Sequence, residues 1–329
     1  MINFTVELKN IIQKALFNEL LTKDECKFIL DYPNDKIEEL VNEVYKVRYK
    51  YKGNKVSVQI LTNAKSGNCS QNCKYCAQSC ISKANIDKYS LIDFDKLLEN
   101  GKTGDNKNVK RHCVGFSGLT FTDEQIDKIC EYFKKLKNEV KTDICCSIGF
   151  LTKEQAIKLH NSGVSRINHN LNTSRRNYPN ICTTHTYQQR IDNIKMLKEV
   201  GFEMCCGGII GVGENQDDIV DMLYDIREIN PKSVPINFLI PIKGTPFENN
   251  AKDLTPEYCL KVLSLARLLI PQADVRCAAG REIHIKEKQP LMLKIVNSIF
   301  ASGYLTADGQ NIEDTKKLIE NSGFEYESC

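Results

Sequence analysis

The sequence has no tryptophan, and nothing about function is read from that absence. It also lacks any apolar run of the roughly 18 residues that a bilayer-spanning helix needs. Its start, Met1-Ile-Asn-Phe-Thr-Val-Glu-Leu-Lys, is without the layout of a signal peptide. A cytoplasmic protein with no membrane partner is therefore expected. Charge of one sign is not in excess, since 45 basic against 42 acidic residues leave a net +3. That balance gives no argument for binding nucleic acid or an anionic surface. No low-complexity tract interrupts the chain. With 329 residues, 41% of them hydrophobic, the chain can bury one large core.

Cysteine is the residue in surplus, at fifteen. Most cysteines recur at strand-like positions rather than as the framework of a small secreted domain, and in a reducing compartment they stay thiols or bind metal. Cys69, Cys73 and Cys76, in Gly67-Asn-Cys-Ser-Gln-Asn-Cys-Lys-Tyr-Cys-Ala-Gln-Ser-Cys80, space three thiols at C-x3-C-x2-C. A [4Fe-4S] cluster normally takes four thiolates, so three leave one iron open to a small molecule. Zinc sites usually come as two separated pairs, which makes zinc the weaker reading. The spacing, with Tyr75 before the last cysteine, resembles the signature of radical S-adenosylmethionine (AdoMet) enzymes.

Val56 to Thr62 alternates in apolar and β-branched residues and reads as a strand, placing the cysteines in the loop after it. Further strands are expected at 111–117, 141–149, 164–171, 202–210, 233–239, 273–279 and 297–301. Helices are expected from about Thr122, Thr152, Tyr187, Asn215, Pro256 and Ile285, several opening on a capping residue. Eight strands alternating with helices imply an α/β fold, a (β/α)8 TIM-type barrel with an N-terminal helical extension; an open doubly wound sheet is the alternative. Residues 1–50 carry helical apolar periodicity (Val6, Ile11, Ile12, Leu16 and Leu20, then Ile37, Leu40, Val41 and Val44) and are expected beside the barrel mouth or bottom. The barrel is assigned to 51–305 and a polar tail, helical beyond about Glu313, to 306–329. The segment 102–110 is polar and glycine-containing, and is expected to be a loop.

The strands carry chemistry of their own. Side chains alternate across a strand, and separate strands offer Cys113, Cys145 or Cys146, Cys205 or Cys206, and Arg276 or Cys277. A lone buried cysteine is usually a small apolar residue. Three strands each offering one, beside a cysteine loop, favour convergence on a lumen.

Several runs together resemble the biotin synthase family: the cysteine loop, Arg111-His-Cys-Val-Gly, Asn168-His-Asn-Leu-Asn-Thr-Ser174, Thr183-Thr-His-Thr-Tyr-Gln-Gln-Arg190, Cys206-Gly-Gly-Ile-Ile-Gly-Val-Gly-Glu214, Ser233-Val-Pro-Ile-Asn237, Lys243-Gly-Thr-Pro246 and Val275-Arg-Cys-Ala-Ala-Gly-Arg-Glu282. The likeness runs from about residue 50 to 305. It implies a homodimeric cytoplasmic barrel that converts dethiobiotin to biotin using AdoMet, a [4Fe-4S] cluster, an auxiliary iron–sulfur cluster as sulfur source, and a flavodoxin- or ferredoxin-type electron donor. Carried over, Cys69, Cys73 and Cys76 hold the radical-generating cluster. Cys113, Cys145, Cys205 and Arg276 hold the auxiliary one, with Arg111 beside it. Arg190 pairs with the AdoMet carboxylate, Tyr75, Asn170 and Asn172 lie on the AdoMet side, and Asn168, Asn170 and Asn237 approach the substrate.

The chain also departs from that pattern. Asn172 stands where the family usually has aspartate. Cys80, Cys146, Cys182, Cys206 and Cys277 are additional thiols, so the auxiliary cluster is either [2Fe-2S] or a larger four-iron cluster with Cys277 as an alternative ligand. Alternation turns Cys146, Cys206 and Cys277 away from their neighbours. The glycines from Gly207 to Gly213 are out of register for a dinucleotide fingerprint and are expected to let AdoMet approach the backbone. Competing readings are a hydrogenase-cofactor maturase on the same barrel, or an iron–sulfur electron carrier or sensor.

Overall fold

The strands read from alternation are present and close on themselves. In a computed structural model describing residues 4–328, they are β1 (Lys55–Lys65), β2 (Arg111–Phe116), β3 (Asp143–Ser147), β4 (Arg166–Asn168), β5 (Glu203–Cys205), β6 (Gly208–Ile210), β7 (Ser233–Phe238), β8 (Asp274–Cys277), β9 (Ser298–Phe300) and β10 (Glu325–Glu327). All pairings are parallel, and β9 returns to β1 at Ser57–Gln59. The result is a closed TIM-type barrel of eight staves, one of which, β5 and β6, is interrupted at Cys206 and Gly207. A Cβ on Gly207 would meet the Pro235 carbonyl oxygen at 1.8 Å, and one on Gly208 the Met222 sulfur at 2.2 Å. These two glycines are therefore needed for packing against β7 and the helix outside it.

The helices are α1 (Phe4–Leu16), α2 (Lys23–Leu30), α3 (Ile37–Lys52), α4 (Phe94–Asn106), α5 (Asp123–Glu139), α6 (Lys153–Asn161), α7 (Tyr178–Ile181), α8 (Tyr187–Val200), α9 (Gln216–Ile229), α10 (Pro256–Leu269), α11 (Arg281–His284), α12 (Gln289–Leu293) and α13 (Ile312–Asn321). Local sequence fixes where many begin. Thr122, Thr152, Thr186 and Asn215 each accept from the backbone N–H three residues on, and the side chain at that third position returns the bond. Such reciprocal capping satisfies amides that would otherwise be orphaned.

Two expectations are corrected. The 102–110 segment is helical as far as Asn106; its glycine, Gly104, is buried in close contact, a Cβ there lying 2.9 Å from Ile60, and a Cβ on the preceding Gly101 would lie 3.0 Å from Leu136. The helix expected from Ile285 is instead a short 3-10 turn and α12, after α11 has already ended at His284, with Pro290 in the first turn of α12. Among the N-terminal helices, α2 and α3 pack on α10, α1 on α3, and α2 also on α9, while the end of α3 reaches the starts of β1 and β8 through Arg48 to the Lys55 carbonyl at 3.0 Å and Lys52 to Asp274 at 2.9 Å. That cover explains why α10 is buried from Cys259 to Leu269. Ile11 and Ile12 face the core as the periodicity requires, whereas Val6 and Leu20 are exposed. Beyond α13, β10 extends the sheet by pairing with β1 at Lys55–Ser57. Among the described residues no helix is long and apolar enough to cross a membrane.

Candidate active site

Parallel closure aligns the carboxyl ends of all strands at one mouth, where barrel sites assemble. A cavity of about 380 Å³ opens there. The cysteine loop forms one wall. Its base is closed by paired bonds between Ser66 and Tyr89, 3.1 Å each way, and Gly67 and Asn68 turn the chain in left-handed conformations. Gln78 then ties the loop across, accepting from the Gly67 amide through its side chain (2.9 Å) and from the Cys69 amide through its carbonyl (3.4 Å). Cys69, Cys73 and Cys76 consequently share the cavity wall with Tyr75, while Cys80 is exposed.

Cys73 and Cys76 resist ionisation. Burial pushes Cys76 up to about 11, with Cys69 adding to it. Cys73 is raised first by its contact with Cys182 and then by burial. Crowded thiols in a dry pocket ionise when a cation replaces their protons, so the donor set fits an iron–sulfur cluster with fewer than four protein ligands.

Arg190, on α8, faces the same cavity. Its Nε donates to the Tyr178 hydroxyl, Nη1 to the Asn170 carbonyl at 3.1 Å, and Nη2 to His185 Nε2 at 2.9 Å. A guanidinium has five N–H donors, so two remain, one on each terminal nitrogen. Asn172 donates through Nδ2 to the Tyr75 hydroxyl at 2.9 Å. Asn170 accepts from the Gly207 amide at 3.0 Å. Asn168 Oδ1 and His169 Nε2 are buried without a hydrogen-bond partner, and both residues line the cavity. A buried polar atom without a partner is costly, and these two supply unmet acceptors beside an open space. Asn237 differs: it donates to the Gly208 carbonyl at 3.1 Å and accepts from the Ala279 amide at 3.3 Å, stitching β6 to the turn after β8.

Deeper in the lumen lies the second constellation. The β2–β3 register sets Cys113 opposite Cys145, and their thiols are hydrogen-bonded. Arg276 is clamped by Ser298 and Ser233, 3.0 Å each, and directs Nη1 at Cys205 Sγ, 3.6 Å away. Arg111, paired with Asp143 at 3.0 Å, and Arg166, paired with Glu203 at 2.7 Å, complete a positive collar. Cys145 is drawn down to about 7, first by Cys113 and then, against burial, by Arg111, Arg166 and Arg276. The same contact and burial raise Cys113; burial raises Cys205 against the pull of Arg276. Three buried thiols under three guanidiniums suit an anionic group such as a second iron–sulfur cluster. Cys146, Cys206 and Cys277 are on the other face, in the hydrophobic core.

Known proteins agree with this arrangement. Residues 63–226 match the Radical SAM superfamily, and residues 235–325 match the Biotin and Thiamin Synthesis associated domain. The chain is 37% identical to the biotin synthase of Bacillus cytotoxicus over 98% of its own length and 97% of that protein's. It is 40% identical to the biotin synthase of Halalkalibacterium halodurans over 97% and 95%. The chain belongs to the biotin synthase family. Among solved structures it superposes on methylornithine synthase (PylB) with a TM-score of 0.84 at 19% identity, covering 96% of this chain and 97% of that one. It also superposes on the FeFe-hydrogenase maturase HydG from Carboxydothermus hydrogenoformans with a TM-score of 0.84 at 16% identity, covering 99% and 80%. Those identities speak for a shared barrel alone.

The sequence reading gave no role to Tyr178, His185 or Gln71. Gln71 accepts from His185 Nδ1 at 3.0 Å; with Tyr178, these residues hold Arg190 and the back of the cysteine loop. His185 and Cys182 were visible within or next to a quoted run, but Tyr178 had no local signal, since its partner is twelve residues away on another element.

Proposed function

We propose that the chain is a cytoplasmic biotin synthase that inserts sulfur into dethiobiotin. The observation that supports this most directly is the pairing, in one lumen, of a three-cysteine loop at the mouth with Cys113, Cys145, Cys205 and Arg276 below it. A maturase or a simple electron carrier has no need of both. Cys69, Cys73 and Cys76 would hold a [4Fe-4S] cluster and the deeper set an auxiliary cluster. When bound, the clusters and AdoMet supply what side chains cannot: reductive generation of a carbon radical, hydrogen abstraction from an unactivated carbon, and the sulfur atom.

The side chains bind, orient and shield. The two free N–H groups of Arg190 suit a carboxylate, here that of AdoMet. Asn170 and Asn172 line the AdoMet side with Tyr75. Asn168, with its unmet acceptor, suits an N–H of the dethiobiotin ureido group. Asn237, already bonded to backbone at both ends, keeps one N–H and one lone pair for substrate while fixing the wall. Placement favours Arg276 over Cys277 as the fourth auxiliary ligand, because Cys277 packs in the core on the opposite face. A flavodoxin- or ferredoxin-type donor and a homodimeric assembly accompany this reading.

The deciding experiment is anaerobic reconstitution, reduction and product analysis with dethiobiotin and AdoMet. Biotin is the expected product. AdoMet cleavage without biotin, under conditions where a reference biotin synthase works, would overturn the assignment in favour of a maturase-like enzyme.

A further inference from the structure

Cys182 follows α7 and is buried against the back of the cysteine loop. Its Sγ lies 3.6 Å from Cys73 Sγ, 3.3 Å from His185 Nδ1 and 3.4 Å from Asn72 Oδ1. Three roles suit a thiol there: fourth ligand of the loop cluster, ligand of a separate metal with Cys73 and His185, or hydrogen-bond donor to Cys73.

The first is excluded by distance. Ligands of one cubane bind different irons and stand apart by the width of the cluster, whereas the two sulfurs are in contact. The second is excluded by a proton. Arg190 has only donors, and its Nη2 meets His185 Nε2 at 2.9 Å. The lone pair of His185 is therefore on Nε2 and the proton on Nδ1, the nitrogen facing Cys182 and Gln71. A metal on that side would need a lone pair there. The third role is left, and the surroundings select its direction. Asn72 Oδ1 already accepts from the Thr183 amide at 3.0 Å, the Thr184 amide at 3.3 Å and the Thr184 hydroxyl at 3.2 Å. The Thr184 hydroxyl, 3.5 Å from Cys182 Sγ, already accepts from the Asn72 amide at 3.2 Å and gives its own proton to Asn72 Oδ1. A Cys73 sulfur that ligates the cluster has no proton and carries negative charge, which makes it the stronger acceptor for the Cys182 S–H.

We propose that Cys182 is a positioning residue for the loop cluster, its S–H hydrogen-bonded to the Cys73 sulfur and its own sulfur held by the His185 N–H that Arg190 orients. The inference rests on ligation of the cluster by Cys73. A hydrogen bond to a ligand sulfur favours the more negative, reduced state and raises the reduction potential. Arg190 thereby touches both the site of the AdoMet carboxylate and, through His185 and Cys182, the back of the cluster.

The test uses the anaerobically reconstituted protein without AdoMet, read on the loop cluster's own reduced EPR signal. Cys182→Ala is expected to keep its iron and shift the cluster to a lower potential, with Cys182→Ser, which keeps a donor, falling between. Pulsed EPR after exchange into D2O should show one exchangeable proton in the wild type that Cys182→Ala lacks. An unshifted potential with that proton retained would overturn the proposal. Loss of loop-cluster iron in Cys182→Ala would also overturn it, by making Cys182 a ligand. Absence of the exchangeable proton in the wild type overturns it without any variant. If Cys73→Ala keeps the full cluster, the ligand reading itself has failed, an outcome distinct from the others.

Discussion

Asn172 gives its side-chain N–H to the Tyr75 hydroxyl across 2.9 Å while its backbone is left-handed, at φ 72°. The backbone is held there by its own amide donating to the Gly207 carbonyl (3.1 Å) and by the Ile209 amide donating to the Asn172 carbonyl (2.7 Å), which bridge the interrupted stave. By the resemblance, Asn172 stands where the family usually has aspartate. A carboxylate accepts only, so it would take the tyrosine proton; the amide leaves that proton free for another partner.

Asn172→Ala should therefore cost about 2–3 kcal/mol, the sum of a left-handed conformation unsuited to alanine and a lost hydrogen bond. Asn172→Gly should recover the backbone part, and Asn172→Asp most of both, since aspartate tolerates this conformation. Anaerobic denaturant midpoints separate the cases. Equal losses for alanine and glycine would show that the backbone contributes nothing.

Arg190→Ala should weaken AdoMet binding by about 1.5–3 kcal/mol, the usual range for a hydrogen bond to a charged group. Arg190→Lys should recover little, because a lysine cannot present a fork. Equilibrium dialysis under anaerobic conditions measures it. Unchanged affinity in the alanine variant would remove the carboxylate role.

The two constellations use separate ligands, so Cys76→Ala should abolish AdoMet cleavage and leave the auxiliary spectrum intact. Filling the auxiliary site with heavy sulfide and following one turnover in unlabelled sulfide should yield labelled biotin. Unlabelled product would mean that the deeper cluster is not the donor. Iron content after Arg276→Ala and after Cys277→Ala identifies the fourth ligand, with loss expected for the former.

Asp105 accepts from the Lys141 and Thr142 amides, 2.8 Å each, and from the Thr142 hydroxyl, tying the end of α4 to the segment before β3. Burial raises its carboxyl, but these bonds outweigh burial and hold it below the ordinary value. A carboxyl depressed on folding contributes stability at pH values above its unfolded pKa and loses it as pH falls through the folded one. Stability should therefore fall with acidification below about pH 4, and Asp105→Asn should flatten that slope while costing about 1.5–3 kcal/mol near neutrality. Urea midpoints across pH compare the two proteins, and an identical slope would dismiss the assignment.

What the sequence by itself determined is what short-range periodicity and contiguous spacing encode. Two-residue alternation placed the eight staves, capping residues such as Thr122 and Thr152 marked helix starts, and C-x3-C-x2-C lies within one loop. Alternation also separated Cys145 from Cys146 and Cys205 from Cys206, because neighbours on a strand must face opposite ways. Other features depended on what packs against a residue from far along the chain. Gly104 read as a loop residue until Ile60 showed why no side chain fits the helix there. Val6 and Leu20 kept the helical period but had no core to face. Barrel closure set Arg276 against Cys205 and turned Cys277 into the core. It was also tertiary structure that brought Cys182, 109 residues from Cys73, into contact with its sulfur. Strand parity and local caps are properties of adjacent residues, whereas a site built across a closed barrel depends on register and packing that no single segment contains.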